Sequence, residues 1–157
     1  MTSNVKTRLY IDAPLNAGAS VELSKDKAHF LKNVLRLAPG QHIAFFNGRD
    51  GEWLGRIETL SKSAATVALE NQTRPQSPMP DVWLVFAPIK RARINFVAEK
   101  ATELGVAQIR PVITRRTVMA RVNTGRLVAN ALEASEQCER LDLPEVFEPQ
   151  QLDKLLD

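Results

Sequence analysis

The chain has 157 residues, 44% of them apolar, and a formal net charge of +3. That length holds one domain or two small ones, and that apolar share can build a core. A single cysteine, Cys138, excludes an internal disulfide; Met1 to Tyr10 lacks the apolar centre of a signal peptide, and no apolar run reaches membrane-spanning length, so a cytoplasmic protein without a membrane partner is expected.

Residues 1–73 read as mostly β. Arg8 to Asp12 and Ser20 to Leu23 are short strand candidates. Ser24 stands as an N-cap before a helix from about Lys25 to Leu35, with Asp26 in its first turn and Phe30, Leu31, Val34 and Leu35 as its apolar face. Leu37-Ala38-Pro39-Gly40 ends it. Gln41 to Phe46 is the next strand, and Asn47 to Gly51 is a turn rich in residues that tolerate positive φ. Glu52 to Leu60 alternates in part, with Trp53, Ile57 and Leu60 inward and Glu52, Arg56 and Glu58 outward; Ala65 to Leu69 is a further strand. Short strands at near-regular spacing with one helix predict a small β-barrel or sandwich. The prolines of Arg74 to Pro80 cannot continue a ladder, so 74–80 is read as a linker between domains at 1–73 and 81–157.

The second domain opens on Val82 to Ile89, an unalternating apolar run of the kind found in strands buried on both faces. Ile94, Val97, Ala101 and Leu104 recur at helical spacing, and Gly105 stands where a helix ends in the left-handed region. Val106 to Ile113 is a second apolar run, so strand, helix and strand form a βαβ unit with parallel strands. Asn123 or Thr124 caps a helix running to about Glu139, with Leu127, Val128, Ala131, Leu132, Ser135 and Cys138 on its inner side. Leu143 to Phe147 is a weak third strand, and Gln150 to Leu156 a last helix behind Pro149. These elements are few for a doubly wound sheet. A half-built sheet of this kind should leave a strand edge and apolar helix faces uncovered.

Charge is unevenly spread. Residues 74–126 carry 10 basic against 3 acidic side chains, whereas residues 127–157 carry 2 against 8. Lys90, Arg91 and Arg93 follow the first strand of the βαβ unit, and Arg115 and Arg116 follow the second. Both groups therefore fall at the carboxyl edge of one parallel sheet, where ligands of open α/β sheets bind. Five cations there predict an anionic partner, and phosphate neutralisation makes nucleic acid the natural one. For any single arginine, solvated surface charge is the blander reading.

Other residues favour structural readings. Glu99 and Glu103 share a helix face and could do acid–base work, but pairing with Lys100 explains them better. His29 and His42 are isolated, with no further ligand at metal-binding spacing, so no metal is expected. Cys138 reads as a small core residue, and Trp53 and Trp83 as core anchors. The seven glycines give neither a dinucleotide fingerprint nor a P-loop, which disfavours a nucleotide-dependent oxidoreductase.

Several stretches resemble one family. Lys100 to Val106 (KATELGV), Arg110 to Thr117 (RPVITRRT) and Glu133 to Arg140 (EASEQCER) with Pro144 match it in order, as do His29 to Arg36 (HFLKNVLR), Pro39-Gly40 and Phe46 to Gly48. The chain is similar to the RsmE family of bacterial methyltransferases, which act on a uridine N3 of 16S ribosomal RNA. The resemblance implies an α+β chain, with a PUA-like β-barrel followed by a partial α/β domain of the SPOUT type, homodimerisation in the full-length family, and S-adenosylmethionine as methyl donor. It also implies a C-terminal knot that binds this cofactor, whose determinants are expected beyond Asp157, leaving no cofactor-binding residue in this chain. The RNA contacts expected are Arg8, Lys32 and Arg36 in the barrel and Lys90, Arg93, Arg115, Arg116 and Arg140 in the second domain. No catalytic base can be named. The alternative is an RNA-binding module without catalytic activity.

Overall fold

The computed structural model describes residues 5–119 and 121–157, without the side chains of Arg91 and Ala92. The chain divides into two compact units, Met1–Ser77 and Pro78–Asp157, and the division falls within the proline-rich stretch.

The first unit is a mixed five-stranded sheet in the order β1-β3-β4-β5-β2. β1 (Val5–Tyr10) runs parallel to β3 (His42–Phe46), and the other neighbours, β3 with β4 (Glu52–Leu60), β4 with β5 (Ala65–Arg74) and β5 with β2 (Ser20–Leu23), are antiparallel. Register shifts at three points of the β4–β5 ladder give these two long strands the extra twist that bulges introduce. The core gathers alternating residues of each strand, among them Leu9, Val21, Ile43, Phe45, Ile57 and Val67, against Ala28 and Leu31 of the helical segment.

That helical segment departs from the sequence reading. α1 covers only Lys25–His29, and Phe30–Val34 widens into a π turn, with the Leu35 N–H donating to the Phe30 carbonyl at 3.0 Å. The widened turn splits the expected apolar face, with Leu35 still packed against the core. Leu31 is fully buried, whereas Phe30 and Val34 are exposed. Ser24 occupies the N-cap position, but its side chain makes no capping bond. The segment ends at Arg36, whose φ of 56° is left-handed.

The turn between β3 and β4 is organised by buried Asn47. Its Oδ1 accepts from the N–H groups of Arg49 (2.9 Å) and Asp50 (2.8 Å), and its Nδ2 donates to the Ala13 carbonyl and to Asp50 Oδ2. Asp50 Oδ2 also accepts from the Leu15 N–H at 2.9 Å. That bond, with the Asn47 amide second, holds the Asp50 carboxyl below its ordinary pKa, against a smaller opposing effect of burial. A lowered carboxylate pKa contributes stability that is present above the unfolded value, about 3.9, and is lost as pH falls through the folded one. The melting temperature of the first unit should therefore fall as pH drops below about 4, and Asp50→Asn should flatten that fall.

Gly51 closes the same turn with φ 76°, and a Cβ there would stand 2.2 Å from the Arg74 carbonyl oxygen. Both the dihedral and the backbone contact require glycine. Gly51→Ala should cost about 2–4 kcal/mol in chemical denaturation, because strain and overpacking add at one site.

The second unit is a parallel sheet in the order β6-β7-β8, with β9 also on β7. β6 (Trp83–Phe86) pairs with β7 (Gln108–Ile113), β8 (Glu145–Val146) pairs with the other side of β7 at Gln108 and Ile109, and β9 (Gln150–Gln151) pairs with β7 further on, at Val112 and Ile113. α2 (Arg91–Glu103) joins β6 to β7, α3 (Thr124–Gln137) follows, and α4 covers Leu152–Leu156. Asn123 caps α3, its Oδ1 accepting from the Arg126 N–H at 3.0 Å.

Ile94, Ala98 and Ala101 of α2 and Leu127 of α3 bury Ile109, with Leu84, Phe86 and Val146 packed alongside. Both helices thus cover one sheet face. This corrects the expectation of a strand buried on both faces: β6 is short, and Trp83 and Val85 are exposed where Leu84 and Phe86 are half-buried. Pro88 lacks the N–H that a longer strand would donate. Leu104 is also exposed, just before Gly105 with φ 90°. Cys138 follows α3 and is exposed rather than core, as is Val128.

Candidate nucleic-acid interface

The β6–α2 connection and the turn after β7 lie at one edge of the parallel sheet because parallel strands end together. Phe86 ends β6 opposite Pro111, and Ala87 to Lys90 lead into α2. β7 runs on to Ile113, and Thr114 to Thr117 form a tight turn. The Thr117 N–H donates to the Thr114 carbonyl at 3.1 Å, and the Thr117 hydroxyl accepts from the Thr114 N–H at 2.7 Å.

A groove of about 400 Å³ lies between these two connections. It is lined by Lys90, Arg93 and Arg116 together with apolar groups that include Ile89, Val118 and Met119. None of these three cations makes an ion pair within 4 Å among the described residues. Ile89 is 42% exposed and Val118 91%, so the groove combines free positive charge with uncovered apolar surface. Sequence reasoning found the cations but missed the apolar half, whose signal was the pair Val118-Met119 directly after Arg116 and Thr117. Arg115 is exposed too, but it lines a neighbouring cleft with Gln151, Leu152 and Asp153. Arg91, the fifth cation of the expected cluster, has its side chain outside the described residues.

Two expected contacts are internal instead. Arg8 donates through Nε to Glu52 Oε2 at 2.6 Å and lies 4.6 Å over the Phe46 ring, with only 10% of its side chain exposed. Glu52, read as outward-facing, is buried because that partner draws it in; Thr73 Oγ1 also donates to it at 2.8 Å. Arg140 donates to the carbonyls of Thr102 (2.8 Å) and Val106 (3.0 Å) and pairs with Asp142 at 2.7 Å. It therefore ties off the C-terminal end of α2, whose last carbonyls have no helical partner. A guanidinium engaged in this way within the fold has little left to offer a phosphate, so both arginines act as internal ties of their units.

In the first unit, Lys32 Nζ donates to the Leu60 carbonyl at 3.3 Å, and Arg36 is exposed in its left-handed conformation. The remaining candidates are structural. Lys100 bridges Glu99 and Glu103 at 3.0 Å each, and these carboxylates, Glu103 foremost, hold its ammonium above its ordinary pKa. His42 bonds Glu70 at 3.2 Å. No group of three metal-ligating side chains occurs among the described residues. On the open face of the second sheet, Arg110 is stacked 3.7 Å over Phe147 and 4.4 Å over Trp83, so Trp83 is a half-exposed stacking partner rather than a core anchor.

Comparison with known proteins fits this arrangement. Residues 75–157 match the family model of the RNA methyltransferase domain, which is more than half of the chain. The chain belongs to the RNA methyltransferase family. Residues 23–70 match that family's PUA domain. The ribosomal RNA small subunit methyltransferase E of Rickettsia conorii is 36% identical over 138 residues, covering 87% of this chain and 57% of that protein. The Synechocystis protein of the same name is 30% identical over 133 residues, or 83% and 44%. Among solved structures, the Neisseria gonorrhoeae ribosomal RNA small subunit methyltransferase E bound to S-adenosyl methionine superposes with a TM-score of 0.86 at 29% identity, covering 96% of this chain and 64% of that one. A putative methyltransferase from Legionella pneumophila in complex with the same cofactor gives 0.85 at 28% identity, covering 96% and 65%. The chain thus spans about half to two thirds of the length of these relatives.

Proposed function

We propose that this chain serves methylation of small-subunit ribosomal RNA at a uridine N3, with S-adenosylmethionine as donor, and that its own residues supply the grip on RNA. The observation that carries the reading is the groove at the carboxyl edge of the parallel sheet, where Lys90, Arg93 and Arg116 stand exposed and without ion pairs, in a chain whose relatives are ribosomal RNA methyltransferases. Arg115 beside the groove, and Lys32 and Arg36 on the PUA unit, extend the contact to further phosphates. The ribosomal small subunit is the partner, the cytoplasm the compartment, and a homodimer the working assembly.

The described residues do not themselves fit S-adenosylmethionine. In open α/β folds a nucleoside cofactor is cradled by a glycine-rich turn between a strand and a helix. Gly105 and Gly125 are the glycines of the second unit; Gly105 follows α2 and Gly125 lies within α3, so neither forms such a turn. No methyl-transfer step is therefore derived through these residues. What they do is position: cations gathered at the ends of β6 and β7 hold the RNA strand at this edge of the sheet, where a base can be presented.

Titrating the chain with a 16S ribosomal RNA fragment at several salt concentrations tests this. Affinity should fall with salt along a log–log slope of about −2 to −4, as expected for three to five phosphate contacts. A slope near zero, or equal affinity for a neutral polymer, would refute it. Calorimetric titration with S-adenosylmethionine should give no saturable binding to these 157 residues.

A further inference from the structure

We propose that the groove at the end of β6 takes a single unstacked nucleotide, its phosphate on Lys90, Arg93 and Arg116 and its base against Ile89, Val118 and Met119. This rests on the RNA reading above and goes beyond a grip on the strand.

Three observations carry it. The volume, about 400 Å³, suits a small ligand of one nucleotide's size and is too small for a stretch of helix. The lining is of two kinds: three cations without ion pairs, which match a phosphate, and apolar side chains, which match only a base. A double helix shows phosphates outside and hides its base faces by stacking, so it would leave Ile89 and Val118 uncovered. Val118, 91% exposed, joins Ile89 and Met119 in one apolar patch beside Arg116, and a contiguous patch of this kind marks a surface on which something lies. Chemistry on a base also requires that base out of its stack, because its reactive edge is otherwise paired. The groove supplies a place for it to go.

The test compares uridine 5′-monophosphate, uridine and inorganic phosphate by calorimetric or NMR titration, with the unmodified chain and with Val118→Asn. So exposed a position leaves folding intact, which thermal melting checks. The nucleotide should bind at least about tenfold tighter than either of its parts, as expected when an apolar contact and a charge contact act together. Val118→Asn should remove most of that advantage and leave phosphate affinity unchanged. Equal affinity for nucleotide and phosphate, or an unchanged advantage in Val118→Asn, would overturn the proposal. The 16S fragment titrated alongside separates the two readings: salt-dependent binding to it without a nucleotide preference sinks the pocket alone, whereas salt-independent binding sinks the RNA grip as well.

Discussion

Lys90→Glu, Arg93→Glu and Arg116→Glu together should lower affinity for the 16S fragment by about 10²-fold or more at about 0.15 M salt and flatten the salt slope by about 2 to 3. Each cation that neutralises a phosphate releases a counterion, so losing three removes three increments of the slope. Reversal adds repulsion to that loss. The cost to stability should stay within about 0.5 kcal/mol, because the three side chains are exposed and make no ion pair among the described residues. Arg115→Glu alone should matter less, since Arg115 lines the neighbouring cleft. An unchanged slope in the triple variant, with melting temperature intact, would show that RNA lies elsewhere.

Arg8→Ala should act in the opposite sense, costing about 3–5 kcal/mol of the first unit's stability with little effect on the salt slope. Truncation leaves Glu52 buried with its 2.6 Å partner gone, and it uncovers the Phe46 face on which the guanidinium lies. Arg74, 3.7 Å from the same carboxylate, compensates in part, which places the loss toward the lower end of that range. Adding Glu52→Gln to Arg8→Ala should recover much of the loss, because a neutral amide is cheaper to bury than an unpaired charge. Trp53 lies in the first unit and Trp83 in the second, so urea titrations of a Trp83→Phe background follow the first unit alone. A midpoint that moves only slightly, together with a lost salt slope, would restore Arg8 to the interface.

These two predictions separate arginines that the sequence could not tell apart. Arg8, Arg93, Arg116 and Arg140 carry the same group and stand beside apolar runs in similar ways. What distinguishes them is whether a carboxylate or a bare carbonyl is carried to them by a distant part of the chain: Glu52 reaches Arg8 across 44 positions, and Thr102 reaches Arg140 across 38. Local pattern holds no record of such meetings. The π turn at Phe30 to Val34 was hidden for a related reason. The apolar spacing is ordinary for an α-helix, whereas in the fold the turn widens and Leu31 alone of its residues is fully buried in the first core.

The sequence by itself determined most of the order of strands and helices, though it read β9 as the start of the last helix, together with the proline-rich break, the βαβ unit and the gathering of positive charge after its two strands. Each of these follows from short-range periodicity, turn chemistry or the rule that parallel strands end together. Tertiary structure alone decided that β6 has one open face, that Arg8 and Arg140 are spent inside the fold, and that Val118 and Met119 complete a groove with Lys90, Arg93 and Arg116. Burial and pairing depend on which residues far apart in the chain come to share the same space, and one-dimensional spacing does not encode that.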